Sequence, residues 1–461
     1  MKQSIREKKV LMISYIFPPL GGGANQRTVR FVKYLGQFGW TPIVLTVRNG
    51  YYQYSDDYFL RIIPESVKIY RTFSLEPARF EPYIRPIKSG LKSLIRIFLR
   101  DQVEAVSKGT ENLSANSSGA ALPREKFYRK LRRIFNMYLY IPDGKIGWLP
   151  FAVSKGLEII YKENPLVIWA NADRPSALIV GYILKAITNR KLALNFSDPW
   201  VLNAYYPYDR RSLRARIDAF LEKVVIRKAD SIVFATHAMQ LVYEEEYPNE
   251  KGKFSTILNG YDPDEFKEIS HSTNNGKFIL TYCGSLQYFR SPEPLFNALE
   301  QLLDQHPDCL ENLLVRFVGK IDPENLHYFE SFKHKKILHI TGQVSYRESI
   351  KYILESDTCL IIGGSKLLEW ELPGKVFEFM AARKPIFVIS KKIAVAELVE
   401  RLKIGIVASP DDVQSIQSAI TKLINERKNQ NYYKDKEKLI EKYSRKSLTG
   451  ELAACFDKLL A

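Results

Sequence analysis

The stretch KVLMISYIFPPLGGGANQRTVRFVKYLGQFGWTPIVLTV (residues 9–47) joins two short apolar runs through a glycine-rich loop and a segment with helical periodicity. The runs KVLMIS (9–14) and TPIVLTV (41–47) are apolar without alternation, which is typical of strands buried on both faces of a sheet. The segment between them, 24–38, repeats apolar residues at a helical spacing. We therefore predict a strand, a helix and a second strand parallel to the first.

The same alternation continues in two blocks, which the polar segment HSTNNGK (271–277) separates. The further strand candidates are residues 165–170, 191–196 and 231–236 in the first block and 278–285, 313–320, 336–342, 358–364 and 384–390 in the second. Apolar strands separated by helices predict an α/β fold of two Rossmann-like domains, each with a parallel sheet.

We assign residues 1–268 to an N-terminal domain and residues 275–440 to a C-terminal domain. Residues 441–461 are expected to form a helix that packs back on the N-terminal domain. Ligands of open parallel sheets bind outside the carboxyl ends of the strands. We therefore expect the binding site in a central cleft between the two domains.

The chain carries 68 Lys and Arg against 51 Asp and Glu among its 461 residues, which gives a net charge of +17. Such an excess favours a polyanionic partner, either nucleic acid, an anionic lipid surface or a phosphorylated substrate. A solubilising surface explains the charge equally well. No recognised nucleic-acid-binding module accompanies the charge, so we do not expect a nucleic-acid partner.

Cysteine usage and hydropathy indicate a cytoplasmic protein. The cysteines Cys283, Cys309, Cys359 and Cys455 lack the spacing of a metal or redox motif, so we interpret them as reduced thiols. The sequence contains no run of 18 apolar residues, the length that a membrane-spanning helix needs. The apolar run 10–14 is short for a signal peptide, and we interpret it as the first buried strand.

Residues 84–140 interrupt the first domain with two basic amphipathic segments. From Arg85 to Arg133 there are 12 basic and 4 acidic residues, so this part contributes +8. In the second segment apolar residues recur at i, i+4, i+7 and i+11, starting from Phe127. A basic amphipathic helix is typical of a protein that lies on an anionic membrane surface. Two helices packed on the core with a charged outer face are the alternative.

Gly21, Gly22 and Gly23 follow the first strand, at a place where many parallel sheets bind a phosphate. A dinucleotide fingerprint needs G-x-G-x-x-G, but Gln26 stands at the third glycine position and no acid ends the second strand. The Gly-Lys-Ser/Thr of a Walker A loop is also missing. The loop therefore predicts a helix N-terminus whose unpaired N–H groups suit an anion, or a tight turn without a ligand.

The most specific pattern lies in the stretch WELPGKVFEFMAARKPIFVIS (370–390). Pro373, Gly374 and Lys375 come just before a helix, where a lysine and the N–H groups of the first turn suit a phosphate. Glu378 follows on nearly the same face of the helix, where its carboxylate can accept from both hydroxyls of a ribose. The alternative is a surface ion pair between Lys375 and Glu378.

The stretch YCGSLQYFRSPEPLFNAL (282–299) has the same arrangement at another strand end. A strand ends at Gly284, a loop follows, and Arg290 precedes a helix. An arginine at such a position suits a diphosphate because its guanidinium can donate two parallel hydrogen bonds. Both stretches together predict a nucleotide site in the second domain.

With these motifs the chain resembles, over nearly its whole length, the retaining glycosyltransferases of family 4, which have the GT-B fold. That family carries a glycine-rich loop after its first strand, as in PPLGGGANQR, a strand-end glycine followed by basic residues, and two glutamates eight positions apart before a G-K-P turn. LNGYDPDEF (258–266) resembles the segment that leads to the family's interdomain linker. IPDGKIGWLPFA (141–152) and NFSDPW (195–200) resemble segments of a branch that acts on surface-polysaccharide and lipid-linked acceptors.

The resemblance implies that the C-terminal domain holds a nucleotide diphosphate sugar and that the N-terminal domain presents the acceptor. The implied donor-binding residues are Gly22, Gly23, Gly284, Ser285, Arg290, Lys375 and Glu378. The implied acceptor-side residues are Asn25, Arg27, Asp173 and His237, with Asn25 and Arg27 near the rim of the cleft. The catalytic candidates are Asp198, on an acceptor hydroxyl, and Glu371, on the donor sugar. For Asp198 a helix cap, and for His237 a capping or packing role, remain the alternatives.

Three positions differ from the family pattern. Ser285 stands at the first of the two basic positions, and Trp370 stands at the first glutamate position. A shift of one residue would bring Glu369 or Glu371 to that place. Arg383 replaces the glycine of the G-K-P turn. These differences leave the identity of the donor sugar open.

The resemblance also implies a mechanism that retains the configuration of the sugar and uses no metal, no cofactor and no dedicated base. Basic side chains and helix N-termini would carry the charge of the leaving diphosphate. The implied acceptor is a glycan or a lipid-linked glycan at the cytoplasmic face of the membrane, with residues 84–140 on the lipid. The alternatives are a sugar-nucleotide epimerase of the same fold and a relative that only binds nucleotide sugars.

Overall fold

The chain folds into two parallel sheets, each packed between layers of helices. The structure is a computed structural model and describes residues 7–20, 23–48, 50, 57–76, 140–203, 208–267, 269, 276–287, 289–307, 312–364, 372–391, 393–427 and 431–461. The predicted α/β fold of two parallel-sheet domains is confirmed. No helix in this part of the chain is long and apolar enough to span a membrane.

The N-terminal sheet has seven strands in the order β3-β2-β1-β4-β5-β6-β7, all parallel. The strands are β1 Lys8–Ile13, β2 Trp40–Val47, β3 Lys68–Thr72, β4 Val167–Asn171, β5 Lys191–Phe196, β6 Ser231–Phe234 and β7 Phe254–Thr256. The described helices of this domain are α1 Gly23–Leu35, α2 Tyr58–Arg61, α3 Leu149–Glu163, α4 Pro175–Thr188, α5 Leu213–Lys228 and α6 His237–Glu246.

The C-terminal sheet has six parallel strands in the order β10-β9-β8-β11-β12-β13. The strands are β8 Phe278–Cys283, β9 Leu313–Val318, β10 Leu338–Gly342, β11 Thr358–Ile362, β12 Ile386–Ile389 and β13 Gly405–Ala408. The described helices are α7 Glu293–Gln305, α8 Pro323–Ser331, α9 Tyr346–Leu354, α10 Gly374–Ala381, α11 Ala394–Leu402, α12 Val413–Asn425, α13 Glu437–Glu441 and α14 Arg445–Leu460.

The central strand β1 shows why an apolar run without alternation forms this fold. Val10 and Met12 point into one core layer, which α1 and α14 cover, while Leu11 and Ile13 point into the opposite layer, under α3 and α4. All four side chains are buried. Since both faces of the strand meet apolar surface, the strand tolerates no polar position between these residues.

The last helix returns to the N-terminal domain. Helix α14 packs against α1, and the ring of Phe456 meets the ring of Trp40 edge-on at 5.2 Å between centroids. Asp457 accepts hydrogen bonds from the indole of Trp40 at 3.1 Å and from Lys8 at 2.8 Å. The chain therefore forms the N-terminal sheet first and the C-terminal sheet second, and its last helix packs on the N-terminal domain.

All ten strands predicted from apolar runs are present, and three further strands were not predicted. These are β3, β7 and β13. The predicted helix at 24–38 corresponds to α1. Most of the basic insertion 84–140, including both amphipathic segments, lies outside the described residues, so its structure and its membrane role stay predictions.

Candidate functional site

The candidate donor residues lie where the C-terminal sheet changes the direction of its strand order. Strands β8 and β11 are neighbours, although β9 and β10 come between them in the sequence. Gly284 directly follows the last residue of β8. Lys375 and Glu378 lie in α10, the first described helix after β11. Such a switch point opens a crevice at the carboxyl ends of the two strands, where ligands of α/β sheets bind.

Lys375 and Glu378 form an ion pair in the first turn of α10. The ammonium of Lys375 donates to Oε2 of Glu378 at 2.7 Å and to the hydroxyl of Ser349, in α9, at 3.3 Å. Glu378 is 5% exposed, because the neighbouring side chains of α10 belong to the buried core. Burial opposes the charge of Lys375, but the nearby Cys283 thiol and the Glu378 carboxylate hold the pKa of Lys375 above its ordinary value. The structure thus has the i, i+3 pair with its carboxylate buried and its ammonium half-buried.

A buried polar chain connects this pair to the N-terminal domain. Tyr346, at the start of α9, lies with its ring 5.4 Å from the ammonium of Lys375 and donates its hydroxyl to Glu265 at 2.6 Å. Arg30 of α1 forms a short salt bridge with Glu265 and donates to the hydroxyl of Tyr346 at 3.0 Å. No sequence pattern marks Tyr346, since a single tyrosine at the start of a helix indicates no particular function.

The turn after β8 depends on two glycines. Gly284 has a φ of +141°, and its N–H donates to the carbonyl of Val318 at 2.8 Å. Gly319 has a φ of +130°, and a Cβ atom there would lie 2.3 Å from the carbonyl oxygen of Gly284. Only residues without a side chain allow this approach. Ser285 follows in an exposed position, and its carbonyl accepts from the hydroxyl of Tyr282 at 3.1 Å.

Arg290 lies in the loop between this turn and α7. Its N–H donates to the carbonyl of Gln287 at 2.8 Å, and its guanidinium lies 5.5 Å from the ring of Phe289. The buried side chain of Asn325 donates to the carbonyls of Leu286, Gln287 and Arg290, at 3.2, 2.9 and 3.3 Å. The backbone that carries Arg290 is therefore held in a defined conformation.

The N-terminal domain has its own switch point, between β1 and β4. The glycine-rich loop follows β1, and Asp173 follows β4. A cavity of about 370 Å³ opens beside it, at the carboxyl ends of β4 and β5. The residues that argue for a ligand here are Asp143, Asp173, Asp198, Trp200, Tyr208 and Arg214, all of which line the cavity.

Asp173 is an acid of this cavity whose pKa is raised well above its ordinary value. Its carboxylate accepts from the hydroxyl of Ser14 at 3.1 Å, from the N–H of Arg174 at 2.9 Å, and at a short distance from the N–H of Ile16. Burial raises the pKa of Asp173 to about 7, and these hydrogen bonds offset only part of that effect. Asp173 is thus a carboxyl group that changes charge near neutral pH.

Arg214 and Asp143 shape the other wall of the cavity. The guanidinium of Arg214 donates to the carbonyls of Tyr140 and Pro142, at 2.8 and 2.7 Å, and to Asp218 at 2.8 Å. Asp143 accepts from the N–H and the hydroxyl of Ser176 at 2.7 and 2.8 Å, which ties the loop to the N-terminus of α4. Both residues therefore position the segment IPDG (141–144).

Trp200 gives this cavity an apolar wall. Its side chain lines the cavity and is 5% exposed, and its indole N–H has no hydrogen-bond partner within the part of the chain that the structure describes. Buried donors are nearly always paired in folded proteins. The indole nitrogen is itself shielded from solvent, so Trp200 contributes an apolar wall to the cavity and keeps an unpaired donor behind it.

Arg27 is not at the rim of the cleft, where we expected it, and that prediction is wrong. It is 2% exposed, and its guanidinium donates to the side chain of Asn195 at 3.0 Å and to the carbonyls of Ile257 and Leu258, both at 2.7 Å. Burial lowers the pKa of Arg27 to about 9. The side chain therefore anchors α1 to the sheet.

His237 is exposed at the first position of α6 and does not line the cavity. The N-cap of that helix is Thr236, whose hydroxyl accepts from the N–H of Met239 at 3.1 Å. Gly22 and Glu371 lie outside the described residues, as does the side chain of Asn25, while Gly23 begins α1. Within the described residues no cluster of three or more His, Cys, Asp and Glu side chains could hold a metal ion.

Comparisons with known proteins agree with this architecture. Residues 263–441 match the model of the family of glycosyl transferases group 1, which is the C-terminal domain and less than half of the chain. No curated protein matches the sequence. The match and the structural neighbours described next support a glycosyltransferase of the GT-B fold.

Solved structures with the same fold superpose over nearly the whole of this chain and nearly the whole of their own length. Sucrose-phosphate synthase from Thermosynechococcus elongatus superposes with a TM-score of 0.60 at 14% identity, covering 98% of this chain and 99% of its own. Anabaena HepE in complex with UDP-glucose has a TM-score of 0.59 at 13% identity, with coverage of 98% and 99%. WaaG, a glycosyltransferase involved in lipopolysaccharide biosynthesis, has a TM-score of 0.55 at 12% identity, with coverage of 97% and 99%. At these identities the likeness establishes the GT-B fold.

Proposed function

We propose that the chain is a retaining glycosyltransferase that moves a sugar from a nucleotide diphosphate sugar to a glycan or a lipid-linked glycan at the cytoplasmic face of the membrane. The observation that carries this proposal is the ion pair of half-buried Lys375 and buried Glu378 at the N-terminus of α10. The pair lies at the switch point of the C-terminal sheet and within the part of the chain that matches the group 1 family.

The donor would bind across the ends of β8 and β11. The N–H groups of the first turn of α10 and the ammonium of Lys375 suit a diphosphate, and Arg290 supplies a second cation from the opposite loop. Gly284 lets the backbone come close to the donor, and Ser285 offers a hydroxyl in place of a charge. The pair with Lys375 uses Oε2 of Glu378, so Oε1 is available to a ribose hydroxyl. Glu371 remains our candidate for the donor sugar.

In the proposed reaction the bond between the anomeric carbon and the diphosphate oxygen breaks, and the acceptor oxygen forms a bond to the same face of that carbon. The proton of the acceptor hydroxyl passes to an oxygen of the departing phosphate, so no separate base is needed. Lys375, Arg290 and the N-terminus of α10 stabilise the negative charge that develops on the diphosphate. Because these groups supply the positive charge, we propose transfer without a bound metal.

The acceptor would bind in the cavity of the N-terminal domain. Asp198 and Asp173 can accept hydrogen bonds from sugar hydroxyls, and the ring of Trp200 gives the cavity an apolar wall against which a sugar can pack. A volume of about 370 Å³ accommodates one or two sugar rings. The similarity to WaaG, whose name refers to lipopolysaccharide biosynthesis, supports a glycan of the cell surface as the product.

A panel of nucleotide sugars, UDP-glucose first, tests the donor site by thermal shift and calorimetry. We expect Glu378→Ala to weaken binding of the stabilising nucleotide sugar about 10- to 100-fold, because it removes a charged hydrogen-bond acceptor from the ribose. Glu400→Ala removes an exposed carboxylate from the neighbouring helix α11 and should leave binding unchanged. If Glu378→Ala and Arg290→Ala both bind donor as tightly as the unchanged protein, the donor site is not here.

The product distinguishes this function from its alternatives. Incubation with the bound nucleotide sugar and a glycan acceptor should give a glycoside with the anomeric configuration of the donor, which NMR detects. An epimerised nucleotide sugar would identify the epimerase alternative instead. Binding with neither product would identify a relative that only binds nucleotide sugars, a result that Trp370 at the first glutamate position would explain.

A further inference from the structure

Helix α5 presents charged residues to the protein interior and large apolar residues to the solvent. Arg214, Asp218 and Glu222 are buried, whereas Leu213 is 58% exposed and Phe220 is 65% exposed. The buried side also contains the apolar residues Ala215, Val225 and Ile226, as expected of a surface helix, but two large apolar side chains are left on the solvent side. The outward side chains of α5 therefore need an explanation beyond packing.

The buried charges fix the rotation of α5 about its axis. Arg214 pairs with Asp218 at 2.8 Å and holds the carbonyls of Tyr140 and Pro142. Glu222 accepts from the N–H of Val201 at 2.8 Å, and the hydroxyl of Tyr247 donates to it at 3.0 Å. Turning Leu213 and Phe220 inward would break these contacts and leave buried charges unpaired, which costs several kcal/mol. The outward position of the two apolar residues is thus built into the domain.

Five of the six exposed residues of α5 form one continuous stripe, which we call the α5 face, and the sixth, Lys228, lies at the end of the helix beside it. The α5 face consists of Leu213, Arg216, Phe220, Lys223 and Arg227, spaced i, i+3, i+7, i+10 and i+14, and all five are exposed. Residues at this spacing share one side of a helix. The stripe contains three cations and no acid, and none of the three is in a salt bridge within the described residues.

We propose that the α5 face docks on an anionic lipid surface. Leu213 and Phe220 would enter the boundary between headgroups and acyl chains, and Arg216, Lys223 and Arg227 would meet the lipid phosphates. Apolar side chains between cations, with no acid among them, complement a surface that is anionic outside and apolar beneath. A second copy of the chain fits less well, because a twofold contact would bring the same cations against each other.

The α5 face lies next to the acceptor cavity. Arg214, the next residue after Leu213, lines that cavity, and Tyr208 lines it from the loop before the helix. The first turn of α5 therefore has one side in the cavity and the other side on the proposed membrane surface. This geometry would let a lipid-linked glycan reach the cavity along the start of α5, an inference that rests on the proposed function.

Sedimentation with vesicles tests the docking surface in the full chain. We expect the unchanged protein to bind vesicles of phosphatidylcholine and phosphatidylglycerol more tightly than vesicles of phosphatidylcholine alone. Leu213→Ser/Phe220→Ser should weaken binding to the anionic vesicles about tenfold or more, because two apolar side chains no longer enter the lipid. Arg216→Glu/Lys223→Glu should weaken it similarly and reduce its salt dependence. Leu326→Ser and Lys438→Glu, exposed positions in the C-terminal domain, are the matched controls and should bind like the unchanged protein.

A direct readout uses a tryptophan on the surface. Phe220→Trp should be quenched by brominated lipid in anionic vesicles, whereas Leu326→Trp should not be quenched. Equal quenching of both, or unchanged binding of Leu213→Ser/Phe220→Ser, would overturn the proposal. Loss of a dimer by light scattering in that double variant would assign the face to a second copy instead. Donor calorimetry on the same variants separates this result from the proposed function, since a failure of docking leaves nucleotide-sugar binding unchanged.

Discussion

Glu378 and Lys375 show how one residue pair can serve both folding and binding. With the partner 2.7 Å away, each charge offsets the burial of the other. A nucleotide diphosphate would add negative charge beside Lys375 and hydroxyl donors beside Glu378, so both partners gain hydrogen bonds when the donor binds. The pair is therefore preorganised, and the donor does not have to bring buried side chains into place.

Asp173 leads to a prediction on the pH dependence of stability. Its pKa in the folded chain is about 7, well above the ordinary value of 3.8, because the carboxylate is buried. The folded state thus holds a proton between about pH 4 and pH 7 that the unfolded state has lost, and folding stability falls as the pH rises through this range. In the unchanged protein this fall in the free energy of unfolding amounts to at most about 4 kcal/mol. We expect Asp173→Asn not to show it.

Denaturant unfolding between pH 4.5 and pH 8 measures this effect. The quantity to compare is the difference in the free energy of unfolding between Asp173→Asn and the unchanged protein at each pH. Asp173→Asn also loses a hydrogen-bond acceptor, but that loss is the same at every pH and leaves the slope unaffected. Asp209→Asn removes an exposed carboxylate of the same domain and serves as the control. A difference between Asp173→Asn and the unchanged protein that does not vary with pH would show that Asp173 is ionised throughout.

The two arginine positions of α1 show what a sequence can and cannot predict at a single residue. Arg27 and Arg30 follow a glycine-rich loop, and a local pattern assigns such residues to a ligand. In the structure both are buried and engaged by protein groups, Arg27 by the carbonyls after β7 and Arg30 by Glu265. Those partners are about 230 positions away in the sequence, so no local pattern can identify them. Lys375 and Glu378 were predictable because both partners lie in one helical turn.

At the scale of elements, all strands buried on both faces were predictable, and of the four edge strands only β10 was predicted, from its apolar residues. Strand β3 has half-exposed side chains at the edge of the sheet, and β7 has only three residues. Strand β13 is the short edge strand of the second sheet, with a glycine at its start. An edge strand is solvated on one side and needs no continuous apolar run, so its composition differs little from that of a loop.

Helix α14 leads to a prediction about how the C-terminus stabilises the N-terminal domain. The ring of Phe456 is buried against Trp40, and Leu448, Leu452 and Ala453 lie in the same core cluster. We expect Phe456→Ala to lower the free energy of unfolding by about 3–5 kcal/mol, because it leaves a cavity between α14 and the sheet. Thermal and denaturant unfolding measure this loss.

Leu460, in the last turn of α14, is 40% exposed and provides the control. Leu460→Ala should change the free energy of unfolding by about 0.5 kcal/mol or less. If Phe456→Ala were as mild as Leu460→Ala, α14 would not be part of the folded N-terminal domain in solution.

At the scale of the whole molecule, the two switch points have complementary chemistry. The switch point of the C-terminal sheet carries cations and a helix N-terminus, which suit a diphosphate, while the cavity beside the N-terminal switch point carries carboxylates and an aromatic wall, which suit a sugar. Transfer needs both ligands to meet, so the contact between the domains has to be defined. The polar chain of Arg30, Glu265, Tyr346 and Lys375 is the connection that joins α1 to α9 and α10.

Glu265 is the central residue of that connection, and its removal leads to a prediction on the whole molecule. Its carboxylate accepts from Arg30 of the N-terminal domain and from the hydroxyl of Tyr346 of the C-terminal domain, and both Arg30 and Glu265 are buried. Glu265→Ala leaves the charge of Arg30 buried without its carboxylate. We expect a loss of about 3–5 kcal/mol in the free energy of unfolding. Small-angle scattering should also show a larger radius of gyration, because the contact between the domains loosens.

Asp304→Ala is the matched control, since it removes an exposed carboxylate that contacts Lys333 at 3.4 Å and His334 at 3.0 Å, both within one domain. Such a pair contributes about 0–1 kcal/mol, and its removal leaves no buried charge. The contrast between the two variants isolates burial, because each removes one carboxylate that has two side-chain partners. An equal effect of Glu265→Ala and Asp304→Ala, with no change in the radius of gyration, would mean that the domains are held by their apolar contacts alone. The donor site could then open and close independently of α1.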